Sequence, residues 1–418
     1  MLFKIPRLYD SHTHFLATGE FASGLRLESL EAATDIAGLQ IKPAHWRGEW
    51  LTGFGWDDKA WPSPPHKDVL DKVFPDRPVY FNKRDGHTSW LNSRALQLLG
   101  IQSESGVLSE TEHLAAWDSL PGFTQSQMRL HILESCRVFN ASGFTHVRDM
   151  SGTEGLWNIM AQLESSDELT LAVESNFTFY HLNELDNAIQ LALMTKKQET
   201  ALLRSKGVKF FFDGSLGSET AFLSKPYHNK SEGNAGKPLW SLSDVEEILK
   251  KSWDQKLEVA VHAIGDEASH QIVQAARKVS AAGYVGRLSL EHTQILRPET
   301  IQMMKPLHVR CHMQPCHWLS DRVWLKEKLG LLYKYAFPWE ALRAAQIPVS
   351  FGCDSPIEPP SFMRNEQALR ESAGEGIRKF TGDVVEFHSH PDASYVDSFT
   401  VIEDGIVKEL NFNGKSLL

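Results

Sequence analysis

The stretch that decides the fold is KLEVAVHAIGDEASHQIVQAARKVSAAGYVGRLSLEHTQ, residues 256 to 294. It opens on the apolar run VAV, passes through a repeat of helical period that stops at Gly283, and closes on a second apolar run, LSL. Strand, helix and strand in that order make a unit with parallel strands. Similar runs lie on either side, at PRLYDSHTHF (6 to 15), GFTHVRDM (143 to 150), LTLAVESNF (169 to 177), GVKFFFDG (207 to 214), LHVRCHMQP (307 to 315) and IPVSFGCD (347 to 354). Taken with KLEVAVHAIGD (256 to 266) and RLSLEHTQ (287 to 294), they number eight. Helical patterns such as SDVEEILKKSWDQ separate several of them. The expectation is an α/β fold, a (β/α)8 TIM barrel, which takes about 250 residues. The 418-residue chain therefore has a surplus. Most of it falls between the first and second strands, from about 20 to 142, where WRGEWLTGFGWDD and RPVYFNKRDGH predict a β-rich insertion over the barrel mouth. The barrel domain is expected over 1–375. The tail, 376–418, alternates around EDG and predicts a hairpin in a small, reduced C-terminal β appendage.

The composition, 42% hydrophobic and 23% charged, is that of a folded domain. A net charge of −10 with no Lys/Arg cluster argues against nucleic acid or an anionic membrane as partner and leaves a small-molecule substrate. No apolar run approaches a membrane span or a signal peptide. The four cysteines, at 136, 311, 316 and 353, have neither zinc-finger spacing nor the density of a disulfide scaffold. A cytoplasmic location is the expectation.

Side chains alternate along a strand, so Asp10, His12 and His14 of DSHTH share one face and two imidazoles can grip one ion. Histidines are also ordinary hydrogen-bonded strand residues, and the pair alone does not choose. In GVKFFFDG the same alternation turns Lys209 inward, opposite Val208, Phe210 and Phe212. Burial disfavours its ammonium form, and a neutral amine can take up carbon dioxide as a carbamate able to bridge two metal ions. A lysine paired with a strand-end carboxylate is the alternative. His262 and His292 stand near the carboxyl ends of their strands, where a barrel builds its active site, and Asp354 closes the eighth strand at the same rim. Singly, each histidine could be a core residue. Together, four histidines, one lysine and one aspartate suit two divalent ions, zinc or similar.

With these residues in place, the chain resembles the amidohydrolase superfamily, in its amidohydrolase 3 branch that includes N-substituted formamide deformylase-like enzymes. The likeness runs from DSHTHF to CDSP and takes in RDGHTSWLNSRALQLLGI, GFTHVRDM, GVKFFFDGSLGSETA, VHAIGD, LEHTQIL and CDSPIEP. It implies that His12, His14 and Asp354 hold a buried metal, that Lys209 bridges as a carbamate, and that His262 and His292 hold an outer one. Metal would lower the pKa of a bridging water to roughly 7, giving the hydroxide that attacks a carbonyl. Asp354 would orient it and pass its proton to the leaving nitrogen. The implied reaction is cleavage of a C–N bond in an amide, formamide or cyclic amide. A lactone or ester hydrolase on the same site and a non-catalytic metal-binding homologue are the rival readings.

The resemblance also implies that His87 faces substrate as a catalytic residue, although a surface-turn histidine reads equally well. Asp213, Ser215 and Thr220, in the loop after Lys209, and Gln314 and His317, after the seventh strand, are candidates for substrate binding. Members of the branch usually carry a β-sandwich built from both sides of the barrel. With HTH at residue 12 almost nothing precedes the barrel, so the tail is expected to be a remnant of that sandwich, either reduced or completed by another subunit. The tail hairpin could pair with an exposed edge to make a homodimer. Cys353 takes a position often held by serine in the family and is expected to pack.

Overall fold

A computed structural model describes residues 1–83, 88–229, 233–374 and 380–418. Its chain divides into one unit made of residues 1–15 and 136–418, and another made of 16–135.

The first unit contains the eight parallel strands. They are Tyr9–Thr13, His146–Gly152, Ala172–Thr178, Leu203–Phe211, Glu258–Ala263, Leu288–His292, Val309–Met313 and Val349–Phe351, barrel strands 1 to 8 hereafter, and each pairs with its neighbour in chain order. Strand 8 returns to strand 1 through Asp354 N–H donating to the His12 carbonyl at 2.9 Å and His14 N–H to the Ser355 carbonyl at 2.8 Å. The TIM barrel expected from the eight runs is present. Its strands are buried on both faces, which is why Val259, Ala260 and Val261 read as a continuous apolar run. Between strands 5 and 6 lies the helix Asp266–Ala281. It buries Ala268, Ile272, Ala275, Ala276 and Val279, a stripe of helical period facing the sheet, and leads to Gly283 at a φ of 98°.

Alternation holds on strand 4. Phe210 packs against Trp240 and Phe179, with ring centroids 5.6 and 5.8 Å away, while Lys209 and Phe211 lie on the other face, the Lys209 Nζ 4.8 Å from the Phe211 ring centroid.

The tail hairpin forms as expected. Ser398–Glu403 and Ile406–Phe412 pair antiparallel about Asp404 and Gly405, both at positive φ, as a tight right-twisted hairpin turn requires. The reading that almost nothing precedes the barrel needs correction. Leu2–Pro6 is a strand, antiparallel to Ser398–Glu403 with Ile5 opposite Thr400, and Lys415–Ser416 completes a four-stranded sheet. Arg7, at a φ of 46°, turns the chain from this strand into the barrel. The sheet packs on the foot of strand 2. Thr400 donates to the Gly143 carbonyl at 2.6 Å and Ser398 to the Thr145 hydroxyl at 3.0 Å.

The second unit is built on a six-stranded mixed sheet centred on Trp50–Trp56 and Val79–Lys83, so the expected β-rich insertion is a folded body with its own core. Trp56, Trp61 and Trp90 meet there with ring centroids 6.0–6.1 Å apart, and the Trp56 and Trp61 indoles donate to the carbonyls of Phe81 and Leu30. These aromatics are core. His87 lies outside the described residues. Among the described residues no helix is long and apolar enough to cross a membrane.

Candidate metal centre

His12 lies on strand 1 and His14 one residue beyond it, Lys209 on strand 4, His262 on strand 5, His292 at the end of strand 6, and Asp354 just past strand 8. All six predicted ligands thus lie on barrel strands or within three residues of a strand end. His12, His292 and Asp354 each offer a donor atom, and the three atoms lie within 4.8 Å of one another. The Asp354 Oδ1 lies 3.3 Å from His12 Nε2 and 3.4 Å from His14 Nε2. The His262 ring centroid is 4.5 Å from that of His292. Lys209 is fully buried in the same interior.

Two backbone features place these groups. His292 and Asp354 adopt left-handed conformations, with φ of 70° and 60°, which non-glycine residues rarely hold without compensation. At His292 this breaks strand alternation. Glu291 and His292 would otherwise face opposite ways, yet Glu291 Oε2 is 2.6 Å from His12 Nδ1 while the His292 ring lies 4.6 Å from the His12 ring. Gly352 lets strand 8 approach strand 1, since a Cβ there would stand 2.7 Å from both Asp10 Oδ1 and the His12 nitrogen.

Each histidine has one ring nitrogen tied to a neighbour. His12 Nδ1 pairs with Glu291, His14 Nδ1 with the Ser151 hydroxyl, His262 Nε2 with the Gly214 carbonyl at 3.0 Å, and His292 Nδ1 with the Gln314 side-chain oxygen at 2.8 Å. With those nitrogens as donors, the other nitrogen of each ring is the one left to ligate when the imidazole is neutral. Burial, reinforced by Lys209, holds His262 down to about 3, and burial next to His262 holds His292 well below the ordinary histidine value, so both are neutral at neutral pH. Burial opposes charge on His12 too, but Asp354 and Glu291 outweigh it and raise its pKa. Burial would raise Asp354, yet His12, His14 and His292 keep its carboxyl well below the usual range. Burial lowers the Lys209 amine to about 8.

The donor set fits a metal. Among the described residues, His12 Nε2, His262 Nδ1, Asp354 Oδ1 and Lys209 Nζ are buried without a hydrogen-bond partner, a state that costs free energy unless something else satisfies them. These nitrogen and oxygen donors are the types that zinc and similar ions take.

Most of the expected substrate contacts are engaged otherwise. The Asp213 carboxylate accepts from the backbone N–H groups of Phe222, Ile264 and Gly265 at 2.8–3.0 Å, stapling the loop after strand 4 to that after strand 5. Thr220 Oγ1 accepts from Ser215 N–H, and Ser215 Oγ meets Ser218 Oγ, so both side chains shape the loop itself. Gln314 orients His292. His317 lies beside the predicted ligands, with its Nε2 3.9 Å from Asp354 Oδ2 and its ring stacked beside that of His292. Cys353 is buried and its sulfur accepts from Ser361 N–H, the packing role expected of it. Sequence reading missed Glu291, Ser151 and Arg148, the last of which is buried and donates to Glu291 at 2.8 Å. The signal was there in part, as charged residues inside apolar strand runs.

The match to known proteins runs through the same residues. The model of the amidohydrolase family covers residues 4–369, and the chain belongs to that family. Among individual relatives it is 28% identical over 398 residues to the putative amidohydrolase YtcJ of Bacillus subtilis, covering 88% of this chain and 74% of that one. It is 21% identical to N-substituted formamide deformylase of Arthrobacter pascens, again over 88% of this chain and 74% of the relative. The crystal structure of an uncharacterized metal-dependent hydrolase from Pyrococcus furiosus superposes with a TM-score of 0.77 at 27% identity, covering 88% of this chain and 77% of that one.

Proposed function

We propose that the chain is a metal-dependent hydrolase that cleaves the C–N bond of an amide, formamide or cyclic amide. The observation that carries this reading is the set of four histidines, each tied at one ring nitrogen and gathered with Asp354 at one end of the barrel. Family membership supports it, as do the metal-dependent hydrolase and the formamide deformylase among its relatives. His12, His14 and Asp354 would hold one divalent ion, His262 and His292 a second, with Lys209 as a carbamate between them and zinc the ion its donors suit best. Bound there, the ions would supply Lewis acidity toward a carbonyl and a water acidified to roughly neutral pH.

The chain's own groups do the rest. Asp354, kept ionised by the imidazoles around it, accepts the proton of the attacking water and returns it to the leaving nitrogen. His317, beside Asp354, is positioned to donate to a substrate oxygen. Metal analysis of protein purified without chelator should give close to two divalent ions per chain, and a screen of N-formyl, N-acyl, cyclic amide and lactone libraries should give turnover on the nitrogen compounds. Turnover confined to lactones would move the assignment to ester chemistry, and a chain that takes up no metal would end the hypothesis.

A further inference from the structure

Beneath the predicted ligands lies a second set of charges that no part of the proposed chemistry uses. Arg148, on strand 2, is 1% exposed. It donates through one guanidinium nitrogen to Glu291 Oε1 at 2.8 Å and to the Ser11 carbonyl at 3.3 Å, and through the other to Glu258 Oε1 at 2.6 Å. Glu291, itself fully buried, gives its second oxygen to His12 Nδ1 at 2.6 Å. Strands 5, 2, 6 and 1 are thereby joined across the barrel interior in the order Glu258, Arg148, Glu291, His12.

We infer that Arg148 and Glu291 are positioning residues that set the affinity of the metal site through His12. Glu291 accepts from His12 Nδ1 and so leaves Nε2 as the ring's ligating atom, on the side of Asp354. A carboxylate does this only while it is ionised and aimed, and a buried one is neither without a cation. Arg148 supplies that cation in a planar fork whose two nitrogens hold Glu291 and Glu258 at once, a geometry the single ammonium of lysine lacks. Two carboxylates around one guanidinium leave the trio with one negative charge, which sits behind His12 and favours a divalent cation in front of it. Stability alone is a poor reason for such a network, because buried ion pairs often contribute little compared with apolar packing.

The inference rests on the metal reading above, and cobalt(II) tests it. Metal-free protein titrated with cobalt(II) reports affinity by competition with a chelator and site geometry by its visible absorption band. Glu291→Gln keeps the shape of the side chain and removes its charge. It should bind cobalt about 10- to 100-fold more weakly, with an altered band and a near-ultraviolet circular dichroism spectrum like that of the parent. Arg148→Met should weaken binding to a similar degree, and Arg148→Lys should recover part of the loss. If Arg148→Met does not fold, Glu291→Gln and Arg148→Lys carry the decision. Folded Glu291→Gln with unchanged affinity and band overturns the inference and leaves the metal reading standing. A wild-type chain that takes up no cobalt overturns both.

Discussion

Asp354 stands between two imidazoles with its Oδ1 within 3.4 Å of each, and the proton-transfer role proposed for it depends on charge more than on shape. Asp354→Asn should therefore lower kcat by roughly 10²- to 10⁴-fold while near-ultraviolet circular dichroism stays that of the parent. An Asn variant turning over at the wild-type rate would remove Asp354 from the reaction. Lys209 makes a separate prediction about pH. Burial holds its amine at about 8 against an ordinary 10.5, so folding pays for an ammonium below that value and the cost is relieved as pH rises toward 10.5. The neutral, carbon dioxide-reactive form accordingly grows as pH is raised through about 8. Protein equilibrated with ¹³C-bicarbonate should show a carbamate resonance that strengthens over that range and is missing from Lys209→Met. Its absence from the wild type at every pH would leave Lys209 as a buried amine only.

Among the elements, those set by a regular period were legible in the sequence. Eight apolar runs gave eight strands, and the Asp-Gly pair gave its hairpin, because burial on both faces and positive φ leave marks on composition. Strand 4 shows where this fails. It begins at Leu203, not Gly207, since its first residues include Arg204 and Lys206, which pair with Asp392 and Glu174. A charged strand foot does not look like a strand. The placement of Glu291 beside His12 is equally hidden, because it depends on the left-handed turn at His292 and alternation predicts the reverse. Asp213, Ser215 and Thr220 read as substrate contacts because they come just after Lys209, whereas backbone N–H groups of the loops after strands 4 and 5 engage Asp213 and Thr220, and Ser218 engages Ser215. The seam between strands 8 and 1 carries a prediction at this scale. Gly352→Ala forces a methyl against Asp10 and the His12 backbone, and should cost about 1–3 kcal/mol in denaturant unfolding and weaken cobalt binding as well. A variant as stable as the parent would show that the seam can relax.

On the scale of the whole molecule, the short amino-terminal strand does more than its length suggests. Leu2–Pro6 covers one edge of the tail hairpin, an edge that would otherwise present unpaired backbone groups for association. Removing residues 1–6 should therefore raise the apparent mass in light scattering while leaving metal content unchanged. A truncated chain that stays at the parent's mass would argue that the edge is protected in another way.

The pairing of Ile5 with Thr400 also sets a clock. At about 5–20 residues per second a ribosome needs roughly 20 to 80 s to deliver the second partner after the first. His12 waits almost as long for Asp354. Leu2–Pro6 thus waits while the whole barrel is made before the strand that pairs with it is delivered, and the ion proposed for His12, His14 and Asp354 lacks its full ligand set until the eighth strand has emerged. On the proposed ligand set, capture of that ion is a late event in the making of a chain, and a message cut short before the codon for Asp354 yields a product without the complete set, however much of the barrel it has folded.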